Sequence, residues 1–313
     1  MAQAQVIIIG SGPAGYTAGI YAARASLKPV LFAGEKPGGQ LMNTTLVENW
    51  PGTEAGVMGP ELMMEMRNQA VKFGTEIIDK KVTKVDFSGE LKKVWVGDEL
   101  HEAKTVIIAT GAAGIMSGVP GEKKFFGRGV ATCAVCDAPF YKDKVAMVIG
   151  GGDAAVEDTM ALTKFASKVY LVHRRDKLRA SKVMADRVMN APKAEILWNT
   201  ELKQVLGDKL VEKVELYNNK TKQTKEIETK GVFLAIGHKP VTEIFKDQLD
   251  LDKKGFIKTK LAYPGATSTS IDGIFAAGDV VDYRYKQAIT SAGMGCQAAL
   301  DAEKYLENNE RKE

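Results

Sequence analysis

Apolar residues along the chain fall into short runs closed by glycine turns, and the same order of runs occurs twice. Residues 6–9 are an uninterrupted apolar run that leads straight into Gly10-Ser11-Gly12-Pro13-Ala14-Gly15 and then an alanine-rich stretch reaching Ala25. A run this short fits a parallel strand buried on both faces, so the pattern predicts a strand, a tight turn and a helix. A second apolar run at 29–32 completes the spacing of a βαβ unit. Residues 60–73 carry helical periodicity, with Pro60 suited to a first turn and Gly74 placed as a stop. Strands are predicted at 82–87 and 91–96, then at 105–109, closing on Thr110-Gly111.

The grammar then repeats. Residues 144–149 read as a strand, Gly150-Gly151-Gly152-Asp153-Ala154-Ala155 as the turn, 153–165 as a helix and 168–172 as the next strand. Strands at 211–217 and 224–228 follow, and a strand at 232–236 closes on Gly237-His238. A last strand and turn at 273–279 precede a helix at 287–306, a segment too small to be a domain and in need of a sheet to join. Returning it to the first unit makes the second unit an insertion. The expected fold is therefore α/β, with a discontinuous first domain at 1–113 and 242–313 and a second domain at 114–241. The glycine- and proline-containing stretches 113–121 and 237–241 would link the two side by side as a hinge.

The turns carry the first chemistry. A glycine turn between strand and helix presents backbone amides at a helix N-terminus to a pyrophosphate; Gly12 allows close approach and Gly15 lets helix pack on strand. Gly150, Gly152 and Ala155 stand in the same places, so two dinucleotides are implied. About 20 residues beyond such a turn the second strand meets the ribose. In the second unit it ends in His173-Arg174-Arg175, with Arg179 a turn later. Planar guanidiniums suit a phosphate dianion, which points to NADPH over NADH. The first unit has Gly34-Glu35 near the corresponding place, compatible with adenosine lacking that phosphate.

Length and composition narrow the rest. The 313 residues allow two domains, and 45% apolar with 26% charged residues describes a globular chain. A net charge of +4 is too even to draw nucleic acid or a membrane by bulk charge. The uncharged run 105–121 is broken by glycines and a proline, and no signal segment precedes residue 6, so the cytoplasm is the expected compartment. The three cysteines do not form an extracellular disulfide framework. Two of them form Cys133-Ala134-Val135-Cys136, which reads as a zinc half-site, as inert core cysteines or as a redox pair. Zinc lacks further ligands, and the adjacent Asp137 supplies the proton donor and acceptor that a redox pair needs. Cys296 is expected as a small buried residue. Asp279 in Gly278-Asp279 sits at a strand end where a carboxylate can hold a hydroxylated chain such as flavin ribitol.

Together with Gly38-Gly39-Gln40-Leu41, Val47-Glu48-Asn49-Trp50-Pro51-Gly52, Ala109-Thr110-Gly111 and Gln287-Ala288-Ile289-Thr290-Ser291-Ala292-Gly293, these motifs resemble, end to end, the low-molecular-weight, flavin-dependent thioredoxin reductases. The resemblance implies two Rossmann-like three-layer domains, FAD in the discontinuous one and NADPH in the inserted one, a homodimer, and thioredoxin as electron acceptor. Hydride would pass from NADPH to FAD, then to the Cys133/Cys136 pair and on to thioredoxin. Cys136 would lie against the flavin, Cys133 would attack thioredoxin's disulfide and Asp137 would manage the proton. Gly10, Ser11, Gly12, Pro13, Ala14, Gly15, Gly39, Gln40, Leu41, Asn49, Val82, Thr110, Gly111, Asp279, Lys286, Gln287 and Ala288 would hold FAD. Gly150, Gly152, Asp153, Ala154, His173, Arg174, Arg175, Arg179, Ile236 and Gly237 would hold NADPH. Three departures stand out: Lys286 where arginine is usual, Ala138 where glycine is common and Asp153 where asparagine is frequent.

Sequence order adds a geometric expectation. Disulfide and nicotinamide ride on one inserted domain but serve one flavin, so that domain should rotate about the paired links between the two steps. Among rivals, the ferredoxin–NADP reductase type has no use for the cysteine pair, and a hydroperoxide reductase needs an extra N-terminal dithiol domain. A non-catalytic flavin-bound redox sensor is the alternative from a different class, and a related reductase with another dithiol partner the alternative within the same one.

Overall fold

The structure, a computed structural model, describes residues 4–260 and 265–310; residues 1–3 of the segment before the first strand lie outside it. The chain divides into two compact units, one built from residues up to Ala113 together with those from Lys239 onward, the other from Gly114–His238.

The first unit is organised around the strand Ala4–Ile9, whose Val6, Ile7 and Ile8 are fully buried. Both edges of this strand are occupied: it pairs in parallel with Val30–Phe32 on one side and with Glu99–Ile108 on the other. Alternate side chains feed two cores, since Val6 and Ile8 pack with Ala14, Tyr16 and Leu31, while Ile7 and Ile9 pack with Phe32, Val94 and Phe245. Glu76–Ile78 extends the sheet beyond Val30–Phe32. The strand expected at 105–109 begins earlier, at Glu99. Its polar first half has no apolar run because it forms a hairpin, Lys92–Val96 lying antiparallel to it with Trp95 opposite Leu100. The late strand Ile274–Ala276 pairs in parallel with Val106–Ile108, which returns the C-terminal segment to this sheet. Helices Pro13–Arg24, Gly59–Phe73 and Ala288–Glu310 accompany it, and Gly74 closes the second of them in the left-handed conformation, φ +104°.

The second unit repeats the plan. Five parallel strands run in the order Val130–Ala131, Gly231–Ala235, Val145–Gly150, Lys168–Val172 and Ala194–Leu197, with helices Asp153–Thr163 and Lys182–Met189. Beside them lies an antiparallel sheet of Thr200–Gly207, Val211–Asn218 and Thr224–Glu228. Both units are Rossmann-like α/β.

The links pair as a two-stranded ribbon of Ala112–Gly114 with His238–Pro240. The return crossing falls at Lys239, three residues before the expected 242, because Val241 is bonded to the first unit. Its N–H donates to the Gly111 carbonyl at 3.0 Å, and the Thr110 hydroxyl donates to the Val241 carbonyl at 2.7 Å. On the outward crossing, the buried Glu122 carboxylate accepts from Ser117 N–H, Ser117 Oγ and Gly118 N–H, at 2.6–2.8 Å, so much of the stretch expected as hinge is bound within the second unit. Among the described residues, no helix is long and apolar enough to cross a membrane.

The first and last helices meet where a side chain has no room: a Cβ on Gly295 would stand 2.1 Å from the Ala14 carbonyl oxygen. Gly295→Ala is expected to force these helices apart and lower stability by about 1–3 kcal/mol, as overpacking in a closed core does. Chemical denaturation would show it, and an unchanged midpoint would contradict the packing described.

Candidate active site

The first glycine turn is shaped by backbone contact. Gly10 has φ +112°, and a Cβ there would lie 2.2 Å from the Ala109 carbonyl oxygen; one on Gly15 would lie 2.0 Å from the Gly10 carbonyl oxygen. Gly12 faces open space, with nothing within 4 Å of where its Cβ would be. Pro13 then opens the helix without an N–H to spare, and the amides of Ala14 and Gly15 belong to its first turn, where no intrahelical acceptor exists. The turn therefore offers donors beside empty volume, as an anionic diphosphate requires. Ser11 plays a different part. Its hydroxyl donates to the Ala33 carbonyl at 2.7 Å and accepts from Gly38 N–H at 3.0 Å, tying the turn to the loop that carries Gly39, Gln40 and Leu41. Gly39 comes so near that its Cβ would be 3.2 Å from Gly12 Cα.

The other expected residues of the first unit have partners of their own. Asp279 is held against the Ser291 hydroxyl, which donates to it at 3.0 Å. Burial pushes its carboxyl up to about 6, with the Ser291 hydrogen bond acting in the opposite direction. Gly278 sets this strand end against the first helix, its Cβ position lying 3.0 Å from Ala14 Cβ. Asn49 donates to the Gln287 side-chain oxygen at 3.4 Å. Lys286 takes a left-handed conformation, φ +49°, because the Asp282 carboxylate gathers the amides of Arg284, Tyr285 and Lys286 at 2.8–3.0 Å. Ala288 starts the last helix, and Val82 is buried in the same core as Ile9 and Val280. Thr110 and Gly111 lie in the crossing segment, bonded to Val241. Donors beside open space at Gly12 and the buried Asp279 carboxyl, whose neighbour Gly278 meets Ala14, fit a dinucleotide with a hydroxylated chain, as FAD has.

In the second unit Gly150 and Gly152 repeat these roles: a Cβ on Gly150 would be 2.6 Å from the Ala235 carbonyl oxygen, and Gly152 faces open space. Asp153 and Ala154 begin the helix, but the Asp153 carboxylate is engaged by Ser181 N–H at 2.8 Å and Ser181 Oγ at 3.0 Å. Arg174, Arg175 and Arg179 are exposed, whereas His173 is buried. The loop holding them is pinned by its backbone: Asn219 Nδ2 donates to the Arg174 carbonyl, Asn199 N–H to the Arg175 carbonyl, and the amides of Arg179 and Ala180 to the Gly151 carbonyl. Gly237 accepts from Ile115 N–H, and Ile236 packs on the core of this unit. Asn199, Asn219 and Ser181 were outside the sequence motifs, and their partners lie too far along the chain for local spacing to reveal them.

Cys133 and Cys136 form a disulfide in this same unit. Cys133 caps the short helix Ala134–Asp137, its Sγ accepting from Cys136 N–H at 3.2 Å, and Val135 between them is exposed. Asp137 follows at once, its carboxyl pushed up to about 6 by burial. The Tyr141 phenol is raised by burial and then by the Asp137 charge; its ring meets Phe233 edge-on at 5.1 Å and lies over Gly231, where a Cβ would be 2.2 Å from it. Cys296 is half-buried, more open than expected, and touches Tyr21. No cluster of metal-ligating side chains occurs among the described residues.

A model of pyridine nucleotide-disulphide oxidoreductases matches residues 4–295. The chain belongs to that family. Within it, the thioredoxin reductase of Debaryomyces hansenii is 50% identical, all of both chains being covered. Among solved structures, thioredoxin reductase from Giardia duodenalis is 42% identical with a TM-score of 0.92, over 98% of this chain and 100% of that one. Lactococcus lactis thioredoxin reductase in the FR conformation is 39% identical over the same shares, with a TM-score of 0.67. The chain is thus a flavin- and pyridine-nucleotide-using oxidoreductase of the bacterial thioredoxin reductase type.

In this oxidoreductase the buried Asp137 has a thermodynamic signature. A carboxyl raised from 3.8 to about 6 holds its proton more tightly folded than unfolded, so its contribution to stability falls as pH rises between those values and stays low above them. Asp137→Asn is expected to stabilise the oxidised protein by about 1–3 kcal/mol near pH 8, an advantage that shrinks as pH falls through about 6. Denaturant titration at several pH values checks this; a pH-independent difference would refute it.

Proposed function

We propose that the chain is an NADPH-dependent thioredoxin-disulfide reductase that holds FAD in its first unit and NADPH in its second. The observation that carries this reading is the Cys133–Cys136 disulfide beside a protonatable buried carboxyl, on the same unit as a glycine turn flanked by three exposed arginines. Ser11 to Gly15, Gly39 to Leu41, Asn49, Asp279 and Lys286 to Ala288 form the FAD cradle. Gly150 to Ala154 receive the NADPH pyrophosphate, and Arg174, Arg175 and Arg179 its 2′-phosphate. When bound, FAD would supply the two-electron chemistry that links a reduced pyridine nucleotide to a disulfide.

The cysteines complete the transfer by thiol–disulfide exchange. Cys133 is the attacking thiol that the resemblance implies, and the Cys136 N–H that points at Cys133 Sγ in the disulfide would, if kept on reduction, favour negative charge on that sulfur. Its sulfur bonds to one sulfur of thioredoxin's disulfide as that disulfide breaks, and the departing thiolate takes a proton. Cys136 then attacks Cys133 in the mixed disulfide, re-forming the Cys133–Cys136 bond and releasing reduced thioredoxin. Asp137 is placed to exchange the proton, with an affinity near neutrality that serves both donation and acceptance. The exposed Val135 gives the partner an apolar contact between the sulfurs.

The second unit turns as a body between its two tasks, pivoting at the ribbon of Ala112–Gly114 and His238–Pro240. Relatives of similar identity whose TM-scores spread from 0.67 to 0.92 at equal coverage support such rearrangement within this family. Exposed Ile289 and Leu300, a helical face apart from the core, with Tyr21, Met64 and Val71 on neighbouring helices, supply an apolar face for a homodimer. The cytoplasm is the proposed compartment, where reduced thioredoxin is consumed.

NADPH oxidation with thioredoxin tests the reading. The wild type is expected to turn over continuously and Cys136→Ser to lose at least about 100-fold, as removal of a reacting group does. Equal rates would sink the assignment, and a single reduction without turnover would favour a flavin-bound redox sensor. A crosslink locking one unit to the other should abolish turnover while FAD stays bound; undiminished turnover would refute the pivot.

A further inference from the structure

Two exposed cationic segments of the second unit are tied together. One is the arginine loop after Lys168–Val172; the other is the tip of the hairpin joining Val211–Asn218 to Thr224–Glu228, where Lys220 and Lys222 are exposed. Asn219 makes the tie. Its Nδ2 donates to the Arg174 carbonyl at 2.9 Å and to the Glu201 carboxylate at 3.1 Å, and its N–H donates to the Asn199 carbonyl at 2.7 Å. Asn199 N–H in turn donates to the Arg175 carbonyl at 3.1 Å. The tip itself is fixed: Asn218 Oδ1 accepts from the N–H groups of Lys220 and Thr221 at 3.0 and 2.9 Å, and the Asn218 carbonyl accepts from Lys222 N–H at 2.8 Å. Lys220 is one residue from the Arg174 contact, a Cα step of about 3.8 Å, so its charge acts on the loop over a range comparable with the Debye length of about 10 Å at 0.1 M salt.

The lysines of the tip are uncommitted. Elsewhere in the same sheet Lys213 pairs with Glu226 at 2.6 Å and Lys203 with Glu201 at 3.1 Å, whereas neither Lys220 nor Lys222 enters an ion pair among the described residues. Glu201 is the acid at the junction, and its carboxyl is held below the ordinary value by the Asn219 and Lys203 hydrogen bonds and by the charges of Lys203 and Arg174. Lys203 offsets Glu201, and Lys177 offsets its neighbour Asp176. Arg174, Arg175, Arg179, Lys220 and Lys222 remain as the excess.

We propose that the hairpin tip is an electrostatic collar outside the phosphate site, where Lys220 and Lys222 draw nucleotides of high negative charge toward the arginine loop through space rather than by contact. The inference rests on the NADPH reading above. Attraction by exposed charge grows with the charge of the ligand, and a 2′-phosphate adds about two negative charges near neutral pH. Such a field raises the rate of encounter, fades with salt and is indifferent to the shape of the cation that makes it.

The test is calorimetric titration of the FAD-loaded enzyme with 2′,5′-ADP and with 5′-AMP, at about 10 mM and about 500 mM salt, where the Debye length falls from about 30 Å to about 4 Å. At low salt wild type is expected to favour 2′,5′-ADP, and the double variant Lys220→Gln/Lys222→Gln to bind it about threefold or more weakly, with a smaller loss for 5′-AMP and none for either at high salt. Lys220→Arg/Lys222→Arg should match wild type. Both positions are exposed, so neither pair of substitutions disturbs the core. An unchanged 2′,5′-ADP affinity in the glutamine variant at low salt, an equal loss for both nucleotides, a loss that persists at high salt or a comparable loss in the arginine variant would each overturn the proposal. A wild type that does not prefer 2′,5′-ADP refutes the NADPH reading itself and takes this inference with it.

Discussion

Everything in this molecule depends on how closely two backbones can approach at a glycine. The carbonyl of Ala109 sits where a Gly10 side chain would be, and that of Ala235 where a Gly150 side chain would be. These contacts bring the end of one parallel strand against the turn leaving its neighbour, and so fix where each following helix begins. Helix position then decides where free amides point. Gly12 and Gly152, by contrast, touch nothing, and the empty space beside them is the part of the arrangement available to a ligand. Packing and binding are divided between glycines two residues apart.

The second constraint is the path of the chain. Because Ile274–Ala276 must pair with Val106–Ile108, the first unit cannot be completed until the second has been made. The chain therefore crosses between units twice, and the crossings pair with each other as a ribbon. Hydrogen bonds from Val241 on one side and the Glu122 carboxylate on the other confine conformational freedom to a few residues. The pivot proposed above would be well served by that confinement.

Periodicity along the chain predicts the paired strands, both turns and the first helix because each is encoded by neighbours. The helix Lys182–Met189 and strand Thr200–Gly207 escape that reading: the first is short and mostly charged or half-exposed, and the second alternates around a register shift. The site is legible to a lesser depth. Cysteines, glycines and arginines announce themselves by type and spacing. Ser11 does not, since its role lies in partners 22 and 27 residues away. What a polar side chain does is set by the far end of its hydrogen bond, which no local pattern contains.

The sulfur bridge closes only a four-residue loop within a single helical turn. The chain-entropy contribution of a crosslink grows with the length of the loop it closes, so this one restrains the unfolded ensemble less than almost any other placement would. Opening and closing it therefore disturbs little beyond its own turn. In the cycle proposed above the bridge breaks at every turnover, and a bridge that is no rivet suits that rhythm.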